Sequence, residues 1–246
     1  MRYTQQFQIS KEVIELFNNL HKKCLSYGLG VENNNLLILE KLRNYKGKGC
    51  FVQCGVFEGK TLLPSLVYSK ENNLNIRFYG FDTFEGFPVI ESNLKDNPIH
   101  FEHQYKNGLI TTEHYERARN RTNNFVGVRH LEKGYFSEVK DIFSIVSEFE
   151  NVKLVRGIFA KSLPPFMKGI EILHIDCDLY QSYLDCLNNL YENVVEGGCI
   201  IFDEYFSLKY PGARDAVDEF FVDKVGHFEN YDSLDNFERW CFVKDE

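Results

Sequence analysis

EILHIDCDLY, residues 171–180, places a short strand-like run directly before two acids, Asp176 and Asp178. GCIIFDE, residues 198–204, repeats the arrangement, with a run of apolar residues ending at Asp203 and Glu204. Neither run alternates apolar with polar, as a half-exposed strand does. Both read as inner strands of a parallel sheet covered by helices on each face. Working outward, FVQCG (51–55), NIRFYGF (75–81) and VKLVRG (152–157) have the same character. Segments at 58–70, 137–149, 181–193 and 212–223 fit helices between them. The alternation predicts an α/β, Rossmann-like fold with a mostly parallel central sheet. FERWCFVK (237–244) reads as a closing edge strand with Trp240 in its core. Residues 9–45 read as two helices, the first capped by Ser10 and presenting Val13, Ile14, Phe17 and Leu20 on one face. Residues 83–112 show no period and carry Gly86, Pro88, Pro98 and Gly108, so a lid loop is expected there. The expected division is a helical extension over 1–48 and a catalytic domain over 49–246.

Composition narrows the function. The chain has 246 residues, 43% of them apolar, and a net charge of -8. That length supports a substantial core without disulfides. With no basic stripe, a nucleic-acid partner is not expected. No apolar stretch approaches a membrane span, and MRYTQQFQISKEV lacks a signal-peptide core, so a cytoplasmic location is expected. The seven cysteines form no CxxC pair. Those in strand-like runs, Cys54, Cys177 and Cys199, read as reduced thiols packed as small hydrophobes.

Three constellations bear on chemistry. In VQCGVFEGKTL (52–62) a strand gives way to a glycine turn and then a helix, a geometry suited to a ligand or to a merely structural turn. It is neither a dinucleotide GxGxxG nor a phosphate-binding P-loop. Asp82, in YGFDTFEGFP (79–88), falls at the end of the next strand, where ligands of doubly wound sheets bind. It could accept hydrogen bonds from ribose hydroxyls or serve as a local Asx turn. The third is the acid quartet Asp176, Asp178, Asp203 and Glu204. Adjacent strands lie about 4.8 Å apart, so these tips gather four carboxylates. Such a cluster suits a hard divalent cation, unless each acid caps a helix or pairs with a base such as Lys209 or Arg214.

VQCGVFEGKT, FDTFEGFP, LVRGIFAKSLP, LHIDCDLYQSYLDCLNNLY, GGCIIFDEY and PGARDAVDEF occur in this order. Together they resemble the macrocin O-methyltransferase family of S-adenosylmethionine (SAM)-dependent, metal-dependent sugar O-methyltransferases. The resemblance runs from about residue 50 to 221. It implies a class I methyltransferase fold, with SAM and a divalent metal as cofactors: Mg²⁺, with Mn²⁺ or Fe as alternatives. It further implies that Gly55 and Gly59, with Gln53 and Thr61, frame the methionine part of SAM. Asp82 would hold the ribose, and Gly157, Ile158 and Phe159 would lie near the adenine. Asp176, Asp203 and Glu204 would bind the metal, Asp176 also bordering the cofactor, and Asp178 would be the general base. The family usually has Glu at the position of Gln53 and Asp at that of Glu204.

Substrate contacts are expected from His100, His103 and Tyr105 in the lid, from Tyr180, and from Arg214 toward an anionic group. The acceptor implied is a sugar hydroxyl, on a nucleotide-linked sugar for a surface polysaccharide or on a glycosylated natural product, and a homo-oligomer is expected. Competing readings are a glycosyltransferase using Asp176 and Asp178 as a DxD motif, a non-catalytic SAM-fold scaffold, and a catechol methyltransferase.

Overall fold

The structure, a computed structural model, describes residues 4–87, 94–121, 142–164, 169–232 and 237–245. Its frame is an eight-stranded sheet: β1 (Thr4–Gln8), β2 (Cys50–Cys54), β3 (Phe78–Asp82), β4 (Val152–Arg156), β5 (Ile170–Ile175), β6 (Val194–Phe202), β7 (Gly226–Asp232) and β8 (Arg239–Lys244). In space they run β1-β7-β8-β6-β5-β2-β3-β4. The pairs β2–β3, β3–β4, β2–β5, β5–β6 and β1–β7 are parallel, whereas β8 runs antiparallel to β6 and β7. The order reverses between β2 and β5, which opens a crevice at their carboxyl ends.

The helices are α1 (Lys11–Ser26), α2 (Asn35–Arg43), α3 (Leu62–Glu71), α4 (His100–Lys106), α5 (Thr112–Arg121), α6 (Ile142–Val146), α7 (Phe159–Ser162), α8 (Tyr180–Leu190) and α9 (Pro211–Phe220). Inner strands have no water-facing side, so successive residues feed two separate cores. Phe51, Ile172, Cys199 and Ile201 point toward α1, α2 and α3, where they meet Val13, Leu37 and Leu63. Val52, Leu173, Ile175 and Phe202 point the other way, to Tyr183, Leu187 and Val217 of α8 and α9. Each such side chain, wholly buried, contributes about 1.5–3 kcal/mol of hydrophobic transfer free energy. Ser10 caps α1 by accepting the Val13 amide at 3.3 Å.

Four expectations need correction. The N-terminal extension is not purely helical, because β1 adds to the sheet beside β7. FERWCFVK is an interior strand rather than an edge: β7 and β1 extend the sheet beyond it. Trp240 is only half-buried: its ring packs 5.0 Å from that of Tyr205 at the margin of the core, and its indole N–H donates to Glu238 at 2.7 Å. The segment 83–112 is largely ordered into a 3₁₀ turn at Leu94–Asp96 and into α4, with residues 88–93 outside those described. Helix α4 docks on α9, with the Gln104 amide donating to the Pro211 carbonyl at 2.8 Å. Of the helix expected at 137–149, Ile142–Val146 is helical and 147–148 form a turn, while 137–141 also lie outside the described residues. The seven cysteines are all free, and burial pushes Cys177 up to about 12 and Cys199 up to about 11. Among the described residues no helix is long and apolar enough to cross a membrane.

Candidate active site

Four strand tips converge on the crevice. Gly55 follows β2, Asp82 ends β3, Asp176 follows β5 and Asp203 follows β6. Between them lies a cavity of about 640 Å³ that touches Gly55, Asp82, Asp176, Asp178, Asp203 and Glu204 together. Its walls are rich in aromatic rings, among them Phe57, Phe84, Phe87, Phe159 and Phe206. A volume of this order suits a small-molecule ligand with a few polar anchors.

Backbone strain concentrates at the same place. Among the described residues four non-glycines have left-handed backbone: Phe57 (φ 47°), Asn73 (50°), Phe84 (53°) and Asp178 (63°). Three of them, all but Asn73, line the cavity. Strained conformations of this kind persist where the surroundings over-determine them, commonly at ligand sites.

The glycine turn is held by Asp82. Its Oδ2 accepts the amides of Val56 at 2.7 Å and Phe57 at 2.9 Å, while Oδ1 accepts that of Phe84 at 2.8 Å. A carboxylate has about four lone-pair directions; the Thr83 hydroxyl, 3.4 Å from Oδ1, can give its single proton to the Gly86 carbonyl instead, so roughly one remains for a ligand hydroxyl. Gly55 sits at φ 88°, where a Cβ would lie 1.6 Å from the Asp176 carbonyl oxygen. A Cβ on Gly59 would instead meet the Ile142 side chain at 2.2 Å, so its bareness serves packing against α6. Gln53 is fully buried, its amide donating to the Gly55 carbonyl and to Thr61 Oγ1. Thr61 and Phe159 reach the cavity wall. Gly157 (φ 146°) binds β3 by donating to the Asp82 carbonyl at 2.9 Å, and Ile158 beside it is exposed.

The acids crowd one another. Asp176 and Glu204 are pushed well above the usual carboxylate range, chiefly by removal from water and then by repulsion from Asp203. Asp178 is raised to about 7 by burial and by Asp203, with Lys209 offsetting part of the rise. Glu204 turns toward α8: Tyr183 Oη donates to Oε2 at 2.7 Å, and the Asp178 amide reaches the same oxygen at 3.3 Å. Among the described residues, one group of His, Cys, Asp and Glu brings three potential ligand atoms within 4.8 Å of one another, and it is His174, Asp176 and Asp203. Glu204 is not part of it. Arg214 does not neutralise the quartet. It stacks 4.5 Å over the Tyr205 ring, with Asp218 at 3.8 Å.

The expected substrate residues are not brought to the cavity wall. His100 pairs with Asp215 at 2.7 Å and stacks on His103. Tyr105 stacks on Tyr115 at 4.7 Å, and Tyr180 Oη donates to Glu219 at 2.6 Å. The wall also includes residues the sequence did not single out. Glu32 enters from the connection between α1 and α2, with Lys60 at 3.7 Å, and Arg121 and Arg239 contribute positive charge beside Lys209, the base already considered for the quartet. Nothing in the polar run VENNN sets Glu32 apart, because its position depends on how the extension folds over the sheet.

Known proteins resemble this chain in sequence and in fold. The model of the macrocin-O-methyltransferase (TylF) family matches residues 136–237. Demethyldecarbamoylnovobiocin O-methyltransferase of Streptomyces niveus is 40% identical over 72 residues, 29% of this chain and 27% of that one. The 8-demethyl-8-(2,3-dimethoxy-alpha-L-rhamnosyl)-tetracenomycin-C 4'-O-methyltransferase of Streptomyces olivaceus is 26% identical over 176 residues, 70% of this chain and 58% of that one. The chain thus spans less than two thirds of the length of either relative. Among solved structures, the calicheamicin methyltransferase CalS11 superposes with a TM-score of 0.56 at 17% identity, covering 96% of this chain and 94% of its own. The O-methyltransferase NovP gives 0.52 at 19% identity, covering 96% and 80%. These superpositions identify the fold as that of the class I SAM-dependent methyltransferases. The resemblance carried by the sequence motifs holds: over residues 136–237 the chain matches the macrocin-O-methyltransferase family.

Proposed function

We propose that the protein is a SAM-dependent O-methyltransferase that transfers a methyl group to a sugar hydroxyl, with a divalent cation at the acid cluster. The observation that carries this reading is one shared cavity. The glycine turn and Asp82 border it on one side, and Asp176, Asp178, Asp203 and Glu204 on the other. The first set suits SAM, with the residual acceptor capacity of Asp82 toward a ribose and aromatic walls toward an adenine. The second set fits a cation, because the raised proton affinity of Asp176 and Glu204 marks a deficit of positive charge. Asp176 and Asp203 would hold it, with Glu204 at its border. A bound divalent cation supplies Lewis acidity that lowers the pKa of a coordinated hydroxyl.

The chain's own residues then do the following. Asp178, raised to about 7, is matched to accept the hydroxyl proton near neutral pH. The oxygen forms its bond to the methyl carbon as the carbon–sulfur bond breaks, giving a methyl ether and S-adenosylhomocysteine (SAH). The Asp82 network and the strained backbone at Phe57 and Phe84 fix the turn, so donor and acceptor meet in line. Lys209, Arg121 and Arg239 suit an acceptor carrying negative charge, which favours a nucleotide-linked sugar over a neutral glycoside. The glycosyltransferase reading fits less well, since the glycine turn and Asp82 then have no role.

The test is methyl transfer from labelled SAM to a panel of nucleotide-linked sugars, with EDTA and with Mg²⁺ or Mn²⁺ restored. Transfer should need the cation and fall at least a thousandfold in Asp178→Ala. Full activity in EDTA, or SAH failing to bind, overturns the reading.

A further inference from the structure

His174 is 0% exposed, yet neither Nδ1 nor Nε2 has a hydrogen-bond partner. A buried polar group left unpaired is costly, so an orphaned imidazole calls for an explanation. The position of the ring supplies one. His174 and Asp176 are two residues apart on β5 and its tip, and a strand sends such residues to the same face. Asp203 follows β6, the next strand, and His174 Nε2 lies 3.9 Å from Asp203 Oδ1. All three ligand atoms of His174, Asp176 and Asp203 lie within 4.8 Å of one another. An ion that binds its donors at about 2.1 Å holds them about 3.0 Å apart at right angles and about 4.2 Å apart when opposed. The imidazole and Asp203 are already within that range.

Glu204 gives one of its oxygens to α8, while its side chain also hydrogen-bonds Asp176. Its Oε2 accepts from Tyr183 Oη, and its own amide donates back to that oxygen at 3.0 Å. A ligand set limited to carboxylates therefore leaves the buried imidazole unpartnered and draws on an acid that Tyr183 already holds by one oxygen.

We propose that His174 is a direct ligand of the cation, which is bound by one nitrogen and two carboxylates from His174, Asp176 and Asp203, while Glu204 stays hydrogen-bonded to Tyr183. This rests on the reading that the acid cluster binds a cation. An imidazole donor shifts preference away from Mg²⁺ and Ca²⁺, which favour oxygen, toward Mn²⁺, Fe²⁺ and their neighbours. One competing role for His174 lies close by. Gln53 stands opposite it in the β2–β5 register, and Gln53 Oε1 also lacks a partner. A His174–Gln53 hydrogen bond would account for the ring without a metal.

The experiment is pulsed electron paramagnetic resonance on the full-length protein loaded with less than one equivalent of Mn²⁺. The expected result is a ¹⁴N coupling of a directly bound imidazole, lost in His174→Gln and in Asp176→Asn. Calorimetry should show His174→Gln weakening Mn²⁺ at least tenfold and Mg²⁺ by a smaller factor. Mn²⁺ bound in the wild type with no nitrogen coupling, but released by Asp176→Asn, overturns the histidine ligand while leaving the cation reading standing. No Mn²⁺ bound at all overturns both. The wild-type spectrum decides the matter even if a variant fails to fold.

Discussion

Asp96 caps a helix to which it is not joined: its Oδ1 accepts the Tyr180 amide at 2.8 Å, at the first turn of α8. The residue at the N-cap position, Leu179, has no side chain that could do this. The acid loop 176–178 leads directly into this helix, so Asp96 ties the 94–96 turn to the strand tip that carries the chemistry. Loss of an N-capping acceptor costs typically about 1 kcal/mol, so Asp96→Ala should lower unfolding free energy by roughly 1–2 kcal/mol. Burial raises the Asp96 carboxyl to about 6. A carboxyl raised in the folded state favours folding while protonated and loses that contribution as pH rises from about 4 through about 6. Asp96→Asn keeps an acceptor and removes the titration. Urea unfolding at pH 5 and pH 8 should therefore show wild type losing stability relative to Asp96→Asn, and parallel curves would refute the assignment.

A second relationship explains a strand that pattern reading missed. Glu229, inside β7, is paired with Lys41 of α2 and also accepts from Tyr231 Oη at 3.0 Å. Burial pushes the Glu229 carboxyl up, and Lys41, together with the hydrogen bonds from Cys241 and Tyr231, more than reverses this, leaving it below the ordinary range. The pair's contribution is thus present at neutral pH and lost on acidification through the depressed pKa. Lys41→Met should strand a buried carboxylate and cost roughly 3–5 kcal/mol. The double variant Lys41→Met, Glu229→Gln should recover most of that. Chemical denaturation of wild type, the two single variants and the double variant checks it, and additive losses would contradict the coupling.

Asp82 has two kinds of partner to lose. Its carboxylate holds the amides of Val56, Phe57 and Phe84, two of them on residues with left-handed backbone. Hydrogen bonds to a charged group are worth about 1.5–3 kcal/mol each. Asp82→Ala should release the turn and weaken SAH binding at least tenfold, as read by calorimetry. Asp82→Asn keeps one acceptor oxygen and should fall between. Unchanged affinity in Asp82→Ala would remove Asp82 from the cofactor site.

What the sequence revealed follows from which signals are local. The runs at β2, β3, β5 and β6 were legible because strands buried on both faces are apolar throughout, and the acids at their ends stand out by contrast; β4, which shares their apolar run, is instead a half-exposed edge strand. Strand β7, GHFENYD, carries Glu229 inside, and the countercharge that makes this tolerable is a lysine nearly two hundred positions away. Strand β1, TQQFQ, is almost wholly exposed and has no apolar pattern. Helix α4 buries Phe101 and Gln104, too little for a periodic signal. The acid quartet was readable, but His174 was not, since a histidine in a strand gives no sign of lacking a partner. His100 and Tyr180 were drawn toward the substrate by their polarity, and in the fold that polarity is spent on Asp215 and Glu219.

The two glycines of the turn should behave differently under substitution. An alanine at Gly55 would place its Cβ 1.6 Å from a backbone oxygen of Asp176, and neither strand tip can retreat without breaking the β2–β5 ladder. At Gly59 the obstruction is the terminal carbon of Ile142, a side chain on the short helix α6. Both positions carry a positive φ, which costs a non-glycine residue roughly 1–2 kcal/mol. Gly55→Ala should therefore abolish SAH binding and cost well over 3 kcal/mol of stability. Gly59→Ala alone should lose about 2–3 kcal/mol, the cost of strain together with overpacking. Pairing it with Ile142→Ala should leave SAH affinity within about threefold of Ile142→Ala alone. Calorimetry and thermal melts on the four variants, read against wild type, check this. Equal losses of affinity in Gly55→Ala and Gly59→Ala would show that the turn is read by the ligand at both glycines, and that the bareness of Gly59 is not a matter of packing.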